Sequence, residues 1–129
     1  MKHCIDTSAY SRLMLGHAPL QKRMEESDLL ILPVTVLGEL HAGFEAGTRT
    51  AENEERLMSF LETANVRIQD VTWDMARRYA RLINALRSAG TPIPTNDIWI
   101  AAAALELGAR LLAYDSHFHH IPGLIVETP

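Results

Sequence analysis

Four acids in this chain sit where carboxylates could do chemistry: Asp6, Glu39, Asp97 and Asp115. Each falls at or near a junction between elements, and the four are far apart in sequence. A carboxylate near a helix start is most simply a cap, and each taken alone reads that way. Gathered in one place, the four would repel, and burying them uncompensated would cost several kcal/mol each. A fold keeps such a group when something positive occupies it. Hard oxygen donors, without a cysteine and histidine set, select Mg2+ or Mn2+. Ions of that kind bind phosphate oxygens, lower the pKa of a water and stabilise the charge of an in-line displacement. The chemistry implied is phosphodiester hydrolysis.

The elements that must position these acids can be read along the chain. His3-Cys4-Ile5 is a short apolar strand that runs into Asp6-Thr7-Ser8 and a helix from about Ser8 to Leu15. Gly16 to Pro19 break it, and a second helical piece runs to about Ser27. Leu29 to Leu32 is a continuous apolar run stopped by Pro33, the pattern of a strand buried on both faces. Thr35 is a cap candidate for the next helix, which carries Val36, Leu37, Leu40 and Phe44 at helical spacing and Glu39 in its second turn. Gly47 to Glu55 reads as a loop or frayed helix start, and Leu57 to Ala64 as an amphipathic helix.

Val66 to Gln69 alternates as a third strand ending at Asp70. Trp73, Ala76, Tyr79, Ala80, Ile83 and Leu86 mark the apolar face of a long helix, whose other face carries Arg77, Arg78, Arg81 and Arg87. These arginines read as a solvated face. After Gly90 and the Pro92–Pro94 segment comes a helix that is apolar on nearly every side, Ile98 to Leu107, closed by Gly108. Asp97 lies in its first turn, with Thr95 and Asn96 as capping candidates. Arg110 to Tyr114 is a fourth strand ending at Asp115, and Leu124 to Val126 a last short one.

Strands alternating with helices predict an α/β fold, a three-layer α/β/α sandwich with a short, mostly parallel sheet. A chain of 129 residues, 47% hydrophobic, predicts one domain spanning residues 1–129. Functional groups in such sheets gather at the carboxyl ends of the strands. Asp6 and Asp115 each follow a strand, Asp97 opens the buried helix, and Glu39 lies on the helix after the second strand.

Composition narrows the classes. No apolar run is long and charge-free enough to cross a bilayer, and an acid at position 6 interrupts any signal-peptide core. The single cysteine, Cys4, rules out an internal disulfide and reads as an inert core thiol. A cytoplasmic protein is expected. The net charge of −4 argues weakly against nucleic-acid binding, unless metal ions reverse the local sign.

The whole chain resembles a PIN-domain ribonuclease of the VapC-like class, the toxins of bacterial toxin–antitoxin pairs. The matching pieces are Ile5-Asp6-Thr7-Ser8; Glu39 within Val36-Leu37-Gly38-Glu39-Leu40; Thr95-Asn96-Asp97 leading into Ile100-Ala101-Ala102-Ala103; and Leu112 to Phe118 followed by Ile121-Pro122-Gly123-Leu124. The resemblance implies that Asp6, Glu39, Asp97 and Asp115 form a catalytic, Mg2+-binding site (Mn2+ being the alternative ion). It implies hydrogen-bond support from Thr7 or Ser8, Thr95 or Asn96, and Ser116. It also implies an RNA substrate, a homodimer and a cognate antitoxin, whose tail would lie in a groove near Leu13, Leu20, Leu40 and Phe44. Tyr114 departs from the family pattern, which often has threonine there.

Three other readings compete. A zinc site at His117, His119 and His120 lacks cysteines and the usual ligand spacing; His117 is expected near the active edge because Asp115 is, and the other two are expected to be exposed. A phospho-receiver domain would use Asp70, but it needs a second acid beside Asp6 and a lysine near the last strand, and the only lysines are Lys2 and Lys22. A PIN fold that binds RNA or protein without cutting would not need all four acids.

Overall fold

A computed structural model describes residues 1–129. Five strands, β1 (Lys2–Ile5), β2 (Leu29–Pro33), β3 (Val66–Gln69), β4 (Arg110–Leu112) and β5 (Val126–Glu127), form one sheet in the order β3-β2-β1-β4-β5. Six α-helices complete a three-layer sandwich: α1 (Thr7–Met14), α2 (Ala18–Glu26), α3 (Val34–Ala46), α4 (Thr50–Leu61), α5 (Trp73–Ser88) and α6 (Thr95–Glu106). The sheet is wholly parallel rather than mostly so. Each strand but the last is followed by at least one helical segment that carries the chain back to the same edge.

Strand order reverses at β1. The chain builds outward through β2 and β3, then crosses to the other side of β1 to add β4 and β5. The crevice between the carboxyl ends of β1 and β4 is therefore the topological switch point, the usual ligand position in open parallel sheets. The Asp6 amide donates to the Leu112 carbonyl at 3.2 Å, fastening the two strand ends together at that point.

The apolar strand runs end up where their composition requires. Cys4, Leu30, Leu32, Leu111 and Leu112 are fully buried. Burial raises the Cys4 thiol to about 12, so it stays protonated and inert. Helix α6 is the central buried helix: Ile98, Ile100 and all four of Ala101 to Ala104 are buried, and it packs on β1 and β4. The alanine run lets the helix lie close to the sheet. Its end is a Schellman turn, in which the Ala109 amide reaches the Ala104 carbonyl at 2.9 Å and Gly108 takes φ +62°. A side chain at that φ would be strained.

Local signals mislead at several places. Pro33 and Pro94, not Thr35, Thr95 or Asn96, precede α3 and α6, and neither helix has a side-chain cap. Proline fixes φ near the value a helix entry needs, so no hydroxyl is required. Helix α4 begins at Thr50, inside the segment read as a loop or frayed helix start, and earlier than the Leu57 from which the amphipathic helix was expected; the Thr50 hydroxyl donates to the Phe44 carbonyl at 2.7 Å and closes the turn. The buried face of α5 is rotated from the expected one: Met75, Leu82 and Leu86 are buried, whereas Trp73 is 80% exposed. Tyr79 stacks on Trp99 of α6 with ring centroids 4.0 Å apart, one of the contacts by which α5 packs on α6.

One polar cluster joins edge strand β5 to β1, β4 and α2. Glu127 on β5 accepts from Arg23 of α2 at 2.7 Å and from Arg110 of β4 at 2.9 Å, and lies 3.0 Å from His3 Nε2 of β1. His3 is 2% exposed, and its Nδ1 lies 2.7 Å from the Ser27 hydroxyl. Hydrogen bonds from Arg110 and His3 and the charge of Arg23 hold Glu127 below the usual carboxylate range, against the opposing effect of its burial.

Candidate active site

The structure brings all four acids to one cavity. Asp6, Thr7, Ser8, Glu39, Asp97, Ile100 and Asp115 line a hollow of about 240 Å³ at the β1–β4 switch point. Four elements deliver the carboxylates: the β1–α1 junction, the second turn of α3, the first turn of α6, and the residue opening the 3₁₀ turn Ser116–His120 after β4.

Asp6 is both a cap and a member of the cluster. Its Oδ1 accepts the Ala9 amide at 2.8 Å, and the Ser8 hydroxyl lies 3.0 Å from both carboxylate oxygens. At 5% exposure, burial pushes its pKa up to about 6. The Ala9 and Ser8 hydrogen bonds pull the other way, while the charges of Asp97 and Asp115 add to the rise. The cap therefore orients the carboxylate without neutralising it.

Asp97 is not a cap, since α6 has no side-chain cap hydrogen bond. Burial, and then the Asp115 charge, raise its pKa, and the contact with His117 partly offsets that rise. Glu39 is raised by burial first and by the Asp97 charge. Its Oε1 is buried and has no hydrogen-bond partner. The Thr7 hydroxyl lies near enough to lower the Glu39 pKa slightly, yet Thr7 Oγ1 also completes no hydrogen bond. Asp115 caps the 3₁₀ turn, its Oδ1 accepting the His117 amide at 3.0 Å.

Of the hydrogen-bond supports expected around the acids, Ser8 serves Asp6. Thr95, Asn96 and Ser116 are exposed and make no hydrogen bond to the cluster. His117, expected near the active edge only because it follows Asp115, places its Nδ1 3.0 Å from Asp97 Oδ2 and 3.0 Å from Asp115 Oδ1. Its position two residues after Asp115 was the one available signal. Of the three histidines, His117 alone joins a group of potential ligands; His119 and His120 are exposed. The Tyr114 hydroxyl makes no hydrogen bond to the acids and donates instead to Pro129 O at 2.8 Å, while Arg12 lies 3.9 Å over its ring. Asp70 is exposed at the end of edge strand β3 and does not line the cavity, which counts against a receiver site.

Raised carboxylate pKa values, a buried orphan oxygen and an oxygen-rich donor set are the signature of a site short of positive charge. A divalent cation fits that deficit. Of the residues expected to line a groove, Leu20 and Leu40 are core and Leu13 packs against the core. Phe44 does line a groove, an apolar hollow of about 210 Å³ with Tyr10, Met14, Leu15 and Arg56.

A parallel three-layer fold with carboxylates converging at its switch point is an α/β domain suited to holding a divalent cation, and comparison with known proteins supplies the family. Residues 3–124 match the PIN domain, and the chain belongs to that family. It is similar to ribonuclease VapC5 of Mycobacterium tuberculosis, 29% identical over 122 residues covering 92% of this chain and 87% of that protein. Ribonuclease VapC1 of Haemophilus influenzae is 28% identical over 119 residues, 89% of this chain and 87% of that one. Among solved structures, VapBC2 from Rickettsia felis, bound to a DNA fragment from its promoter, superposes with TM-score 0.89 at 25% identity, covering 98% of each chain. VapBC-1 from nontypeable Haemophilus influenzae shares the fold, with TM-score 0.88 at 24% identity over 98% of this chain and 97% of that one.

Proposed function

We propose that this protein is a divalent-cation-dependent endoribonuclease that hydrolyses RNA phosphodiester bonds, and that it serves as the toxin of a toxin–antitoxin pair. The observation that carries the proposal is the convergence of Asp6, Glu39, Asp97 and Asp115, from four separate junctions, on one cavity. The ribonuclease names of its relatives supply the substrate class.

Asp6, Asp97 and Asp115 would hold Mg2+, or Mn2+ in its place. Bound there, the cation would offset the cluster's repulsion, lower the pKa of a water and stabilise charge building on the phosphoryl oxygens. Asp6 is kept at a fixed angle by the Ala9 amide and the Ser8 hydroxyl. Glu39, whose Oε1 is buried and free of partners, would accept a hydrogen bond from the attacking water or take up a second cation. Attack in line on phosphorus, with the 3′ oxygen leaving, yields a 5′-phosphate and a 3′-hydroxyl. The 2′-hydroxyl plays no part, so RNA preference rests on substrate shape.

An antitoxin partner is supported by the complexes in which the structural neighbours were solved. The apolar hollow beside α1, with Leu15 at its rim 87% exposed, is the seat we assign to it. A homodimer acting on cytoplasmic RNA completes the reading. The test is sequencing of cleaved RNA ends after inducing the wild type and the Asp6→Asn form. The proposal predicts new 5′-phosphate ends with the wild type alone; unchanged cleavage by Asp97→Asn with Mg2+ present would overturn it.

A further inference from the structure

His117 stands at the mouth of the acid cluster in a position that a plain salt bridge does not require. Its own backbone amide donates to Asp115 Oδ1, which fixes the ring's approach. The ring then presents Nδ1 at 3.0 Å to Asp115 Oδ1 and at 3.0 Å to Asp97 Oδ2. A single N–H points well at one acceptor, yet Nδ1 is equidistant from two, one of which is already bonded by the same residue. These three atoms lie within 4.8 Å of one another. Neighbouring ligands on an octahedral cation with bonds of about 2.1 Å stand about 3.0 Å apart. The two contacts thus match adjacent corners of a coordination shell as closely as they match hydrogen bonds.

We propose that His117 Nδ1 is a nitrogen ligand of the cation held by Asp97 and Asp115, and that it biases the site toward Mn2+-class transition ions over Mg2+. The inference rests on the nuclease reading and adds to it a residue and a selectivity. Mg2+ prefers oxygen throughout, whereas imidazole suits first-row transition ions. Replacing one oxygen corner by nitrogen penalises Mg2+ more than Mn2+. The ligand form is the neutral imidazole with its proton on Nε2, and Asp97 and Asp115 then turn their oxygens to the ion rather than to the ring.

The test uses untagged full-length protein, Mn2+ as the probe, and pulsed electron paramagnetic resonance to detect coupling between the ion and a directly bonded ¹⁴N. The wild type is expected to show that coupling, and so is a His119→Ala/His120→Ala double variant. His117→Gln should lose it while still binding Mn2+. Competition titrations should show the Mn2+ preference over Mg2+ falling by about tenfold in His117→Gln. Bound Mn2+ that Asp97→Asn removes, but without nitrogen coupling in the wild type, would overturn the role of His117 and leave the nuclease reading intact. Failure of Mn2+ to bind at any site sensitive to Asp97→Asn would overturn both.

Discussion

Two polar clusters flank the same two strands, and they are wired in opposite ways. Around Glu127 one carboxylate meets Arg23, Arg110 and the buried His3, and its pKa is held down. At the carboxyl ends of β1 and β4, four carboxylates meet one partly exposed histidine, and the pKa values of Asp6, Glu39 and Asp97 are pushed up. The first cluster is balanced from within and ties elements together. The second is left in deficit at the place where a parallel sheet binds ligands. One fold thus spends its arginines on architecture and withholds them from its cavity, which is how a site becomes selective for a cation from outside.

The sharpest way to break this contrast is at Asp97. Asp97→Asn is expected to lower RNA cleavage at least about 100-fold, with the circular dichroism spectrum of the folded protein unchanged. In the balanced cluster the outcome should reverse in kind. Glu127→Ala should lower stability by about 2 kcal/mol in chemical denaturation. That is less than for a fully enclosed pair, because Arg23 and Arg110 reach water. Added Mn2+ probes the deficit directly. At 100 times its dissociation constant it should stabilise the wild type by about 2.7 kcal/mol, and Asp97→Asn much less.

The smallest effect concerns pH. A carboxylate whose pKa is raised on folding costs stability when ionised; the cost is full above the folded value and fades as pH falls through it. Without divalent cations, Asp6→Asn should therefore be more stable than the wild type at pH 8 by on the order of 1 kcal/mol. Asn still caps α1. The advantage should shrink as pH falls below about 6 and be gone only below the unfolded carboxylate value of about 3.9. A difference independent of pH would mean that Asp6 is not under electrostatic strain.

Much of this was legible in the residues. Apolar runs bounded by breakers gave the strands to within a residue or two, because burial on both faces leaves an unmistakable stretch such as Leu29 to Leu32. Asp6, Asp97 and Asp115 could be found because each follows a strand or opens a helix, whereas Glu39, in the second turn of α3, stands out only beside them. His117 could be placed near the active edge through Asp115, but its contact with Asp97 could not be read, since that depends on α6 bringing Asp97 beside the loop after β4. The Glu127 cluster was invisible for the same reason: its partners lie 124, 104 and 17 residues away. The outward turn of Trp73 was missed because helical periodicity gives a face but not the neighbour that decides it.

Strand β5 is only two residues long and forms one margin of the sheet. Margins of this kind invite a strand from another molecule to add on, the first step of uncontrolled self-association. A brief strand carrying a clamped carboxylate offers little template to an intruder. Release of Glu127 would let β5 peel away and bare the longer backbone of β4, so variants there should clump on storage before they unfold.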